Sequence, residues 1–151
     1  MTIMTIEQVA AEHARLGAII AALQAPAPAE PTLLLLSETT IEMRPGERYA
    51  GIVLDQDGLI SHHLVLLPGD ADDLDWTAAK QWAKEAGGEL PTRQEQALLF
   101  ANLKSEFEAS CYWSSEEYSS SGAWYQDFDD GLQHYIKSAE LRARAVRRFT
   151  P

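Results

Sequence analysis

Apolar positions recur every seven residues at the start of the chain. Ile6, His13 and Ile20 form one set and Val9, Leu16 and Leu23 the other, with five of the six apolar. This is the pattern of a helix that buries one stripe against other helices. Thr5 and Gln8 have the spacing at which two side chains satisfy each other's free first-turn N–H groups. The spacing therefore predicts a helix from Thr5 onward, ended by Pro26 and Pro28. A helix of about 20 residues is marginal alone in water, so residues 1–25 are read as an oligomerisation helix. The competing reading packs the same stripe on its own domain.

Residues 26–46 read as a linker and arm. The stretch 25–31 alternates Pro with Ala and Glu, a semi-rigid, extended composition. Residues 32–43 are apolar and then alternating, which suggests a strand or arm before the Pro45-Gly46 turn. From residue 47 the pattern changes. Residues 48–54 and 59–67 predict a hairpin through Asp55-Gln56-Asp57-Gly58, where Gly supplies positive φ. Residues 68–75 read as an acidic loop, with Asp75 capping the next helix. That helix, 76–86, has Trp76, Ala79, Trp82 and Ala83 on one face and stops at Gly87-Gly88. A second helix starts at Thr92, whose partner Glu95 makes another capping box, and carries Leu98, Leu99, Ala101, Leu103 and Phe107. Strands are expected at 111–114, 123–128, 132–137 and 140–149, the middle two joined by Asp129-Asp130-Gly131. Hairpin, helices, then antiparallel strands give an α+β class over residues 47–151.

Charge narrows the partners. Among 151 residues, 12 Lys+Arg against 23 Asp+Glu give a net charge of −11, which disfavours phosphate backbones and hence nucleic acid. Seven acids and no Lys or Arg lie between Ser105 and Tyr135. The last stretch is basic, with Arg142, Arg144, Arg147 and Arg148, and the two segments are expected to neutralise each other in part. No apolar run approaches the roughly 20 residues of a membrane span, so no membrane partner is expected. The first residues lack the basic and apolar regions of a signal peptide. A single cysteine, Cys111, makes neither an internal disulfide nor a cysteine zinc site, and alternation is expected to bury it.

Several blocks carry a resemblance. They are Trp76-Thr77-Ala78-Ala79-Lys80-Gln81-Trp82, Gly87-Gly88-Glu89-Leu90-Pro91-Thr92-Arg93-Gln94-Glu95, Tyr112-Trp113-Ser114-Ser115, Ala123-Trp124-Tyr125, Phe128-Asp129-Asp130-Gly131 and the run from Arg142 to Arg148. In this order they resemble bacterial and prophage-encoded domains of the C-type-lectin-like superfamily, which includes formylglycine-generating enzymes, adhesin tips and phage tropism proteins. Covering residues 47–149, the resemblance implies two helices against a twisted antiparallel sheet, and a homotrimer as the favoured self-assembly. Trp76, Trp82, Trp113, Trp124 and Phe128 are the expected core, and Arg93 is expected to pair with a carboxylate. The oxidases of that superfamily need two cysteines, and this chain has one.

No catalytic constellation stands out, so the reading is a non-enzyme without cofactor or metal. The adjacent His62 and His63 point to opposite faces of a strand, and His13 and His134 lie elsewhere. Asp127, Asp129 and Asp130 read as a polar turn. What remains is recognition of a protein or glycan. Alternation turns Trp124 and Phe128 inward with Leu132 and Ile136, leaving Tyr125, Asp127, Gln133, Tyr135 and Lys137 outward beside Arg142 and Arg144. Glu116, Glu117 and Tyr118 flank them on a Ser-rich loop at 114–122. The chain is thus expected to be a phage-related, tail-type or adhesin-like binder, made in the cytoplasm and assembled into a particle. The alternatives are an intracellular acidic protein that blocks a basic site on its partner, and a structural protein without a ligand.

Overall fold

The structure, a computed structural model, describes residues 4–27 and 38–151. The chain divides into two units, Met1–Leu36 and Ser37–Pro151. In the first, α1 (Ile6–Gln24) opens with the expected capping box between Thr5 and Gln8, and none of its residues is buried. The expected strand at 32–43 lies outside the described residues up to 37, and residues 38–43 carry no helix or strand.

The second unit is α+β. β1 (Arg48–Leu54) and β2 (Ile60–Leu66) form the expected hairpin, where Asp55 Oδ1 accepts from the N–H groups of Asp57 and Leu59 at 2.9 and 3.0 Å. β2 is the centre of a three-stranded sheet ordered β1-β2-β8, with β8 running Val146–Phe149. A five-stranded sheet has the order β3-β7-β4-β5-β6, with β3 at Ala71–Leu74, β4 at Cys111–Ser119, β5 at Gly122–Asp127, β6 at Gln133–Ile136 and β7 at Leu141–Ala143. Between the hairpin and the later strands come α2 (Trp76–Glu85) and α3 (Arg93–Leu103), capped by Asp75 and by the Thr92–Glu95 box as expected.

Three expectations fail on pairing. The acidic stretch 68–75 is no free loop, because Ala71–Leu74 pairs with β7 while Arg142 grips Asp70 at 3.0 Å and Asp72 at 2.9 Å. The strand expected at 140–149 is two strands in different sheets, parted at Arg144-Ala145. The Ser-rich loop at 114–122 is mostly β4 itself, which continues to Ser119 before a two-residue turn. Serines leave the strand without a strong apolar alternation, so the pattern alone does not reveal it.

Two cores result. Leu64, Leu66, Leu99, Tyr112, Phe128 and Val146 pack between α3 and the strands, while Leu67, Ala79, Ala83, Leu90, Trp113 and Ala123 pack between α2 and the five-stranded sheet. Trp113 and Phe128 are buried as expected, and Trp76 and Trp82 partly so. α2 ends in paired bonds, Gly88 N–H to Ala83 O and Gly87 N–H to Lys84 O, both 3.0 Å, with Gly87 at φ +89°. The next residue, Glu89, bridges to Val146 in the other sheet. A Cβ on Gly88 would collide with Val146 O and come within 2.7 Å of Leu67 Cδ1. Gly88→Ala is therefore expected to cost about 1–3 kcal/mol through overpacking. Urea denaturation checks this, and an unchanged midpoint would contradict it.

Candidate recognition site

The turn after β5 fixes the register of the hairpin that follows. Asp127 N–H donates to Leu132 O at 2.9 Å, Asp129 N–H to Asp127 Oδ1 and Leu132 N–H to Asp130 Oδ1, both at 2.8 Å. Gly131 has φ +84°, which favours glycine. This places Gln133 opposite Gln126 and Tyr135 opposite Trp124. Directly opposed residues share a sheet face.

On that face an aromatic cluster forms. The Tyr118 and Tyr135 rings stack with centroids 3.5 Å apart and planes within 10°. Trp124 meets both edge-on, at 5.5 and 5.4 Å. The Arg93 guanidinium covers the Trp124 ring at 3.6 Å, a contact between a cation and an aromatic face. Polar bonds hold the arginine there. Its Nε donates to Gln133 Oε1 at 3.0 Å, Gln133 Nε2 donates to Arg93 O at 2.7 Å and Gln126 Oε1 at 2.8 Å, and Arg93 N–H donates to Glu116 Oε2 at 2.5 Å. Tyr118 and Tyr135 remain 48% and 49% exposed, so the stack is ordered while its outer surface meets solvent. The neighbouring Tyr135 phenol raises the Tyr118 phenol above its ordinary value.

The structure divides the expected face. It brings together Glu116, Tyr118, Gln133 and Tyr135. Tyr125 and Asp127 lie on the opposite side of the sheet, Tyr125 against Trp113 with ring centroids at 6.4 Å and Asp127 opposite Cys111. Glu117 and Lys137 line a cleft on that opposite side. Trp124 is not core but the half-buried floor of the cluster. Arg93 stacks on it and makes no carboxylate ion pair through its side chain among the described residues. Leu132, expected inside, is 55% exposed, whereas Ile136 packs on the core. Arg144 is buried, donating to the carbonyls of Glu106 and Leu67, and does not border the face.

The terminal arginines also choose partners other than those expected. Arg142 holds Asp70 and Asp72, Arg147 holds Glu47 at 2.8 Å, and Arg148 holds Glu89 and Glu95. None of these acids lies in the acidic segment from Ser105 to Tyr135. The fully buried Glu95 carboxylate collects Arg148 Nε at 2.6 Å, Arg148 Nη2 at 2.9 Å, His62 Nε2 at 2.7 Å and Thr92 N–H at 2.8 Å. Burial alone would raise its pKa, but Arg148, Thr92 N–H and His62 together hold it below the ordinary value. His63 faces the other way, 2.9 Å from the Tyr49 hydroxyl. Both histidines are thus committed to structural partners.

Cys111 is half-buried rather than enclosed. Burial, followed by the charge of Asp127, raises its thiol above the usual value, which disfavours the reactive thiolate. Because Cys111 is only half-buried and lies opposite Asp127 in the β4–β5 pair, a serine hydroxyl there keeps access to solvent. Cys111→Ser is expected to change stability by less than about 1 kcal/mol. A loss well above that in thermal denaturation would show the thiol to be more deeply packed.

No family model matches the chain, and no curated protein matches it either.

Proposed function

We propose that the chain is a non-enzymatic recognition protein that contacts a protein or glycan surface through Tyr118, Tyr135, Trp124 and Arg93. The observation that carries this reading is the half-exposed tyrosine stack fixed from behind by Trp124 and an arginine. Ordered aromatics supply contact area with little conformational entropy left to lose, a property of binding surfaces. The ordered sequence blocks supply the finer expectation, a C-type-lectin-like domain of the phage or prophage tail or adhesin kind. Binding of the intact chain to arrayed glycans and purified envelope proteins, with tyrosine variants alongside, tests the proposal.

Display in several copies belongs to the same proposal. α1 leaves every residue exposed, Ile6 by 88% and Leu23 by 81%. Its a/d stripe is complementary to that of an identical helix, and association raises the avidity of weak contacts. The full chain is expected to be a homo-oligomer, a trimer by resemblance. Deleting residues 1–25 should yield a folded monomer. Light scattering that finds the intact chain monomeric at micromolar concentration would contradict it.

A second reading draws on the acidic segment, which the terminal arginines leave uncompensated. It makes the protein an acidic blocker of a basic partner. That reading expects charge reversal at Glu116 and Glu117 to outweigh tyrosine removal, with steep salt dependence, whereas Asp70 and Asp72, first expected to join them with Asp73, are already held by Arg142.

A further inference from the structure

We infer that the cleft on the other side of the β4–β5–β6 hairpin binds small zwitterions carrying both an ammonium and an acidic group. The site is independent of the aromatic face. It encloses about 710 Å³, within the roughly 300–1,000 Å³ of small-molecule sites. It lies between the start of α2 and the connections β4–β5 and β6–β7, and is lined by Trp76, Trp113, Glu117, Lys137 and Glu140 among others.

The two indoles are set before any ligand arrives. Trp76 Nε1 donates to Ser114 O at 2.8 Å, and Trp113 Nε1 to Leu74 O at 2.7 Å. The Trp76 ring already carries an ammonium, Lys80 Nζ, 3.6 Å from its centroid. That cation belongs to the chain itself and is not among the residues lining the cleft, so the attraction for a ligand ammonium comes from Glu117 and Glu140. The charged lining is uncommitted. Glu117, Lys137 and Glu140 make no ion pair or side-chain hydrogen bond among the described residues, in contrast to Arg142, Arg147 and Arg148, each of which holds a carboxylate. Asp75, also in the lining, uses Oδ1 to cap α2 at 2.8 Å.

These groups sort by charge. Glu117 and Glu140 receive an ammonium, and Lys137 receives an acid. A ligand with cation alone leaves Lys137 facing like charge. A neutral one leaves all three ions without charged partners.

Saturation-transfer NMR on the full chain, with phosphocholine, choline and glucose as probes, tests the inference. Phosphocholine should receive saturation strongly, choline less and glucose none. The exposed pair Glu117→Gln and Glu140→Gln should weaken phosphocholine by about tenfold or more. Lys137→Met should weaken phosphocholine while strengthening choline, and Tyr118→Ala should alter neither. Absence of transfer to phosphocholine at millimolar concentration overturns the inference. So does equal transfer to glucose, or binding that survives the Glu117 and Glu140 substitutions.

Discussion

Arg148→Met is expected to lose about 3–5 kcal/mol of folding stability, because it strands a buried carboxylate. Arg148 makes two of the four bonds that reach Glu95. The carboxylate is fully enclosed, and the remaining donors come from α3's own cap and from β2. The network ties the first sheet to α3 from both sides, through His62 of β2 and Arg148 of β8. Its pH dependence has a definite sign. In the wild type Glu95 lies below its ordinary value, so its contribution is complete above the unfolded carboxylate value of about 4.3 and is lost as pH falls through the lower folded value. Without the arginine, burial dominates and the folded value rises. The variant then gains stability as pH falls through that raised value. Urea denaturation should show a wide gap between variant and wild type at pH 7 and a narrower one at pH 5. A variant within 1 kcal/mol of wild type at pH 7 would mean that the pair does not hold the sheet to α3.

Removing the tyrosine stack should abolish recognition while sparing the fold. Tyr118 and Tyr135 contact each other and Trp124, and both are about half exposed. Truncating either one opens solvent space rather than a sealed cavity. Each single alanine variant is expected to lose on the order of tenfold in affinity and the pair on the order of a hundredfold, the range of central aromatic anchors. Glu116→Gln should act differently. Its carboxylate accepts from Arg93 N–H at the start of α3, so its loss loosens the arginine over Trp124. Circular dichroism on the tyrosine variants should match the wild type, which separates loss of contact from loss of fold.

The legible parts of the sequence were those governed by local chemistry. Thr5, Asp75 and Thr92 cap the helices they precede, and Asp55 and Gly131 make the turns they suggest. The two-sided environment of His62 and His63 also follows from strand alternation. Partner choice was less legible. Nothing local tells Arg148 to cross to Glu95 rather than to the nearby acidic run, since that choice is made by sheet order. β3 escaped because a four-residue strand with two adjacent acids, bulged at Asp73 with φ +52°, lacks an alternating signature. The site error had a readable remedy. Treating Trp124 as core put Tyr125 outside, yet the turn at Asp129-Asp130-Gly131 already implies the pairing Trp124 with Tyr135. Counting back from that turn finds the aromatic face and shows that Tyr125 belongs to the other one. Arg93 had no such signal, because its stacking depends on where α3 lies over the sheet.

The measurement closest to the central claim is equilibrium binding of the intact chain to an array of glycans and purified envelope proteins, run beside the double variant Tyr118→Ala, Tyr135→Ala. The account predicts that the wild type selects a defined subset of ligands. It predicts that the folded double variant loses them by about a hundredfold at both low and high salt, as aromatic contact requires. Retention of wild-type affinity by the double variant on every ligand bound, or abolition of binding by salt alone, would contradict it.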